Sequence, residues 1–144
     1  MRMRVAFSLP RTAESVRVAR HLLDRMFDLV GVRRDCREEI AVAVSEVCTN
    51  AVRHGGDQPT YELCAESAAN RCVITVDSGA APVPDAPIAM PVPDAVDGRG
   101  LALMQRMTDK LELRRRRGGG LSVRMTKTLW WDEGAIGCPP PSGS

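Results

Sequence analysis

The sequence predicts an α+β fold: a two-layer sandwich with helices packed on one face of a mixed, mostly antiparallel sheet. Three observations lead there. Apolar residues alternate with period two in several short stretches and recur at helical spacing in two longer ones. The elements follow in the order strand, helix, helix, two strands, helix, two strands. The chain has 144 residues, 44% of them hydrophobic, which suits a single domain with one sizeable core.

Arg4 to Leu9 alternates, with Val5, Phe7 and Leu9 on one face, and predicts an edge strand ending at Pro10. Thr12 suits the N-cap of a helix from Ala13 to about Leu29, with Glu14 in its first turn and Gly31 just past its end. The apolar stripe of that helix is Val16, Ala19, Leu23, Met26 or Phe27, and Val30, while Arg17, Arg20 and Asp24 lie on other faces. A second helix runs from about Asp35 to Arg53 and stops at His54-Gly55-Gly56. Two strands follow, Thr60 to Glu66 and Cys72 to Asp77, joined by a turn around Ala69-Asn70. Ala80 to Asp97 holds Pro82, Pro84, Pro87, Pro91 and Pro93. Proline fixes φ and removes a donor, so this stretch is expected to be a loop, neither helix nor central strand.

Gly100 to about Thr108 reads as a third helix, and Lys110 to Arg117 with Leu121 to Leu129 as a terminal hairpin around Gly118-Gly119-Gly120. The folded domain is expected to span residues 1–131, with 132–144 a disordered tail that ends in Pro139-Pro140-Pro141-Ser142-Gly143-Ser144.

Composition narrows the function classes. The longest apolar runs fall far short of the roughly 18 residues that a membrane span needs. The N-terminus, Met1-Arg2-Met3-Arg4-Val5, leads into an alternating stretch rather than a signal-peptide core, so no membrane role is expected and the cytoplasm is the expected compartment. Five cysteines without a Cys-x-x-Cys pair suit reduced, mostly buried thiols rather than zinc ligands. A formal charge of +2 and 3% aromatic residues give neither the field nor the stacking platform for direct nucleic-acid binding. The Arg114-Arg115-Arg116-Arg117 run reads first as a charged hairpin edge that discourages edge-to-edge pairing. A nucleic-acid role for it would require strongly salt-dependent binding.

Three short elements carry chemistry. On the second helix, with Glu46 set at zero, Asn50 falls at about +40°, Arg53 at about −20° and His54 at about +80°. Ile40, Val44, Val47 and Ala51 cluster on an adjoining face, so the helix buries one side and presents a carboxylate, an amide and an imidazole beside it. A carboxamide oxygen is a hard ligand suited to Mg²⁺, and a carboxylate one turn earlier can orient or deprotonate a hydroxyl nucleophile. Asp77 ends an apolar strand, shares a face with Val73 and Thr75, and is expected on the inner face of the sheet, where it must find donors; Gly79 follows two residues on. Gly98-Arg99-Gly100-Leu101 places backbone N–H groups at a helix N-terminus, a natural anion site.

Taken together and in this order, Glu46-x-x-x-Asn50 running into Thr49-Asn50-Ala51-Val52-Arg53-His54-Gly55, Asp77-x-Gly79, and Gly98-x-Gly100 resemble the ATP-binding site of the GHKL superfamily, and specifically its small anti-sigma-factor serine kinases. The resemblance covers roughly residues 3–129 and implies the histidine-kinase-like ATPase fold. It implies Glu46 as general base, Asn50 as the Mg²⁺ ligand, His54 as a phosphate-side neighbour, Asp77 as acceptor from the adenine amine with Gly79 beside the base, and Gly98, Arg99, Gly100 and Leu101 around the phosphates of ATP. It implies, as partners, a sigma factor and an anti-anti-sigma protein of the STAS type. A homodimer is one state such kinases adopt, and the Trp130-Trp131 pair suits either an interface or a cap on the core.

Two departures from the family pattern bear on nucleotide affinity. Ala81 replaces the second glycine of D-x-G-x-G, and Leu121 stands where a Thr often supports adenine recognition, with Ser122 expected to face the other way. Both favour a second reading, a non-catalytic module that senses nucleotide or only a protein partner.

Overall fold

A computed structural model describes residues 1–54, 58–78, 84–87, 98–116 and 121–140, and the side chains of 84–87, 98–101 and 115–116 fall outside that description. Strand β1 (Met3–Pro10) is followed by helices α1 (Ala13–Val30) and α2 (Arg34–His54), then by strands β2 (Thr60–Ala68) and β3 (Arg71–Ser78). Strand β4 (Pro84–Pro87), helix α3 (Gly98–Met107) and strands β5 (Lys110–Arg116) and β6 (Leu121–Thr128) complete the order.

The strands form one six-stranded sheet in the order β1-β2-β3-β6-β5-β4. Every described pairing is antiparallel, so the parallel component of the expected mixed sheet is absent among them. The cause is the first connection. A single crossover helix returns the chain to start a parallel strand, whereas α1 and α2 run down and back, so β2 enters beside β1 in the opposite sense.

Burial alternates strictly along the central strands. Tyr61, Leu63 and Ala65 of β2, Cys72, Ile74 and Val76 of β3, and Leu121, Val123 and Met125 of β6 are all buried. Residues of the other parity, such as Glu62 and Glu66, are exposed. The helices therefore cover one face only, and Ala19, Leu23 and Phe27 of α1 with Val44 and Val47 of α2 complete the core. Each such large apolar side chain contributes on the order of 1.5–3 kcal/mol relative to exposure.

Local signals explain the helix ends. Thr12 is extended and its hydroxyl accepts from Ser15 N at 3.3 Å. Gly31 closes α1 in the left-handed region at φ 94°, with its N–H bonded to Asp28 O and Phe27 O. A side chain there is excluded twice, because a Cβ on Gly31 would also lie 2.2 Å from the Ala135 Cβ.

Two expectations change here. The proline-rich stretch contributes β4, a short edge strand that pairs Pro84 with Arg116 and Pro87 with Arg114, and the rest of 80–97 lies outside the described residues. Proline lacks a ladder donor and is confined to sheet edges; with β4 at the edge, β5 and its arginines are internal to the sheet rather than its edge.

Residues 132–140, expected in a disordered tail, pack against the end of α1. Asp132 N donates to Gly31 O at 2.8 Å, Gly137 N to Val30 O at 2.8 Å, and Val32 bridges to Trp131. Trp131 is half-buried with its Nε1 on Asn70 Oδ1, whereas Trp130 is exposed. No described helix is long and apolar enough to cross a membrane.

Candidate functional site

Helix α2 positions the candidate residues. Its buried positions, Cys36, Ile40, Ala43, Val44, Val47, Cys48, Asn50 and Ala51, span an arc from about 40° to 200° when Glu46 is placed at zero. Asn50 sits at the lip of that arc. It is only 5% exposed, so the amide is drawn under the helix instead of lying on an open face as the sequence suggested.

Its Nδ2 is buried and has no hydrogen-bond partner among the described residues. Leaving such a group unpaired costs about 1–3 kcal/mol, and native interiors keep few of them. A half-turn of the amide exchanges its two ends, so the same buried position can offer either a donor or a hard oxygen.

Asn50 and His54 of α2, Val76 and Ser78 of β3, and Leu121 and Val123 of β6 line one small cavity, closed further by Val47 and Ala51. Its free volume is about 10 Å³, roughly the room a single water needs. Ser78 is buried and its Oγ donates to Leu121 O at 3.1 Å. A larger cavity of about 380 Å³ lies at the sheet corner among Arg2, Met3, Arg4, Glu66, Ser67, Ala68, Arg71 and Val73. Its charged groups are all exposed and it touches none of the candidate residues, so the buried, unpartnered amide is the better guide to chemistry.

The expected residues divide as follows. Glu46 is half-buried one turn before Asn50, about 40° outside the buried arc, and among the described residues no hydrogen bond or ion pair holds it. His54 is exposed at the last position of α2 and lines the cavity. Asp77 shares the parity of Val73 and Thr75, as expected, but that parity is the face away from the helices. It is half-buried there, in register with Glu62 and Ser122. The inner-face expectation is thus corrected: alternation that buries Cys72, Ile74, Val76 and Ser78 necessarily turns Asp77 outward.

Gly79 lies outside the described residues. Gly98, Arg99, Gly100 and Leu101 form the first turn of α3, so the glycines lie inside the helix start rather than before it. Their first-turn N–H groups lack intrahelical acceptors, and α3 packs against α2. Leu121 faces the cavity and Ser122 faces away, as the alternation predicted. Ser78 was not singled out in the sequence, although its parity with Val76 points it inward.

Comparison with known proteins gives the arrangement a family. A family model described as the histidine kinase-like ATPase domain matches residues 9–127, from the end of β1 to the end of β6. The chain belongs to that family. Within the histidine kinase-like ATPases it is 31% identical over 140 residues, covering 90% of this chain and 85% of the relative, to the serine-protein kinase RsbW of Halalkalibacterium halodurans.

The fold is shared with the solved RsbU and RsbW domains of Rv1364c from Mycobacterium tuberculosis, with a TM-score of 0.67 at 19% identity. That match covers 88% of this chain, and the chain spans 32% of the solved one. Residues 130–137, which clasp the end of α1, lie beyond the family match.

Proposed function

We propose that this chain binds Mg·ATP at the end of α2 and acts as a cytoplasmic anti-sigma-type regulator. In this reading it is a protein serine/threonine kinase that phosphorylates a STAS-type anti-anti-sigma partner and sequesters a sigma factor. The observation that carries the reading is Asn50: a buried amide with an unpartnered nitrogen, at the lip of a cavity, in a member of an ATPase family. The kinship to a serine-protein kinase supports the reaction type.

The residues present fit the nucleotide in part. Asn50 would hold Mg²⁺ through its amide oxygen, the first-turn N–H groups of α3 would receive phosphate oxygens, and His54 would stand beside them. Among the described residues no group of three or more His, Cys, Asp or Glu converges, so a cation at Asn50 would take its other ligands from water and phosphate. When bound, Mg·ATP supplies an activated phosphoryl group whose transfer depends on positioning and charge neutralisation. Glu46, held by no hydrogen bond or ion pair among the described residues, accepts the proton of the incoming serine hydroxyl on a carboxylate oxygen. Asp77 faces across the sheet in this register, so the adenine contact is the part that the residues fit least.

A second reading has its own support. Leu121 fills the position expected for a polar adenine contact and the cavity is small, which favours a partner-binding module that senses nucleotide without transferring phosphate. Incubation with labelled ATP and a STAS-type acceptor separates the two. Transfer to a serine that falls at least about 100-fold in Glu46→Gln supports the kinase. Tight acceptor binding with no transfer supports the module.

A further inference from the structure

Asn50 lies where α2 stops holding itself. In an α-helix each N–H bonds to the carbonyl four residues back, so in a helix ending at His54 the Asn50 carbonyl is the last with an intrahelical partner. The carbonyls of Ala51, Val52, Arg53 and His54 must find partners elsewhere, and fraying of this turn would carry the Asn50 amide out of its buried position.

Arg11, in the turn between β1 and α1, supplies one such partner. Its Nη2 donates to Val52 O at 2.8 Å and its Nη1 to Gln58 O at 3.1 Å, while its backbone N–H donates to Pro59 O at 3.0 Å. A half-buried guanidinium at a helix C-terminus satisfies an orphan carbonyl and opposes the negative end of the helix dipole. The rigid fork also ties the last turn of α2 to the segment that enters β2, a geometry that an ammonium cannot reproduce.

We infer that Arg11 is a positioning residue for the nucleotide site: by pinning the last turn of α2 it holds the Asn50 amide at the cavity, and so sets the affinity for Mg·ATP. This rests on the reading of Asn50 given above. Arg11 is not among the residues that line the cavity, and among the described residues its hydrogen bond to α2 is the one to the Val52 carbonyl.

The test compares wild type, Arg11→Ala and Arg11→Lys as full chains, by Mg·ATP calorimetry and amide hydrogen exchange. The expected result for Arg11→Ala is faster exchange confined to residues 51–54, with wild-type protection in β2 and β3, and a Kd raised about tenfold or more. Arg11→Lys keeps the charge without the fork and should recover part of both effects. It also serves as the test variant if Arg11→Ala does not fold, with weaker binding and local exchange again expected. Wild-type affinity in the folded variants overturns the inference, as does a uniform rise in exchange with affinity preserved. A wild-type protein that fails to bind Mg·ATP overturns the functional reading and this inference together, whereas equal binding by wild type and Arg11→Ala overturns the inference alone.

Discussion

Ser78 and Leu121 face each other across β3 and β6, and the Ser78 hydroxyl donates to the Leu121 carbonyl oxygen at 3.1 Å. The pair closes the cavity opposite Asn50. The hydroxyl is spent on the backbone, and the leucine side chain offers only apolar surface.

Leu121→Thr places a hydroxyl at the cavity wall. One added hydrogen bond contributes on the order of 1 kcal/mol, so ATP affinity should rise about fivefold. Exchanging buried apolar volume for a hydroxyl should lower unfolding stability by about 1–2 kcal/mol. Calorimetry and urea unfolding read the two effects separately, and unchanged affinity would show that Leu121 does not limit nucleotide binding.

Lys127 is the buried cation of β6. Its Nζ lies 2.8 Å from Glu39 Oε2, with side-chain exposures of 10% and 45%. Removing one partner leaves a charge with poor hydration, while replacing the cation by an apolar chain of similar length does not. Because Glu39 is half in solvent, the cost of Glu39→Ala is discounted to about 1–2 kcal/mol. Lys127→Met should stay within about 1 kcal/mol of wild type. Urea midpoints test the order, which is contradicted if the methionine variant is the less stable of the two.

Burial raises the Cys48 and Cys72 thiols from 9.0 to about 12, and the Tyr61 hydroxyl from 10.0 to about 12, the latter opposed by its hydrogen bond with Ser15. Below pH 9 these groups are neutral in both states and stability does not depend on them. From about pH 9 to 12 the unfolded chain releases protons that the folded chain retains, so stability falls as pH rises. Each group steepens the slope by up to about 1.4 kcal/mol per pH unit. Urea unfolding at pH 8 to 11 should show this decline, and Cys72→Ala should flatten it. A wild-type curve level from pH 9 to 11 would show that the thiols are not held neutral.

The parts of the fold legible in the sequence were those written in local chemistry. Thr12 and Gly31 mark α1 because a hydroxyl cap and a left-handed glycine are short-range devices. The alternation of Cys72, Ile74 and Val76 fixed the faces of β3, but which face meets the helices depends on where α1 and α2 lie, and so Asp77 was assigned to the wrong one. Asn50 was recognisable by its spacing from Glu46, yet its burial comes from β3 and β6 packing beneath α2.

Arg11 carried no signal, since the Val52 and Gln58 carbonyls that its guanidinium binds lie 41 and 47 residues away. The segment 132–140 reads as tail by composition, and only the space beside a glycine at Gly31 lets it pack there.

The most direct measurement is calorimetric titration of Mg·ATP into the full chain beside Asn50→Ala. Saturable binding by wild type is expected, with Asn50→Ala abolishing it or making it independent of magnesium. No binding by wild type at about millimolar ATP, or equal magnesium-dependent binding by Asn50→Ala, would contradict the assignment of the site.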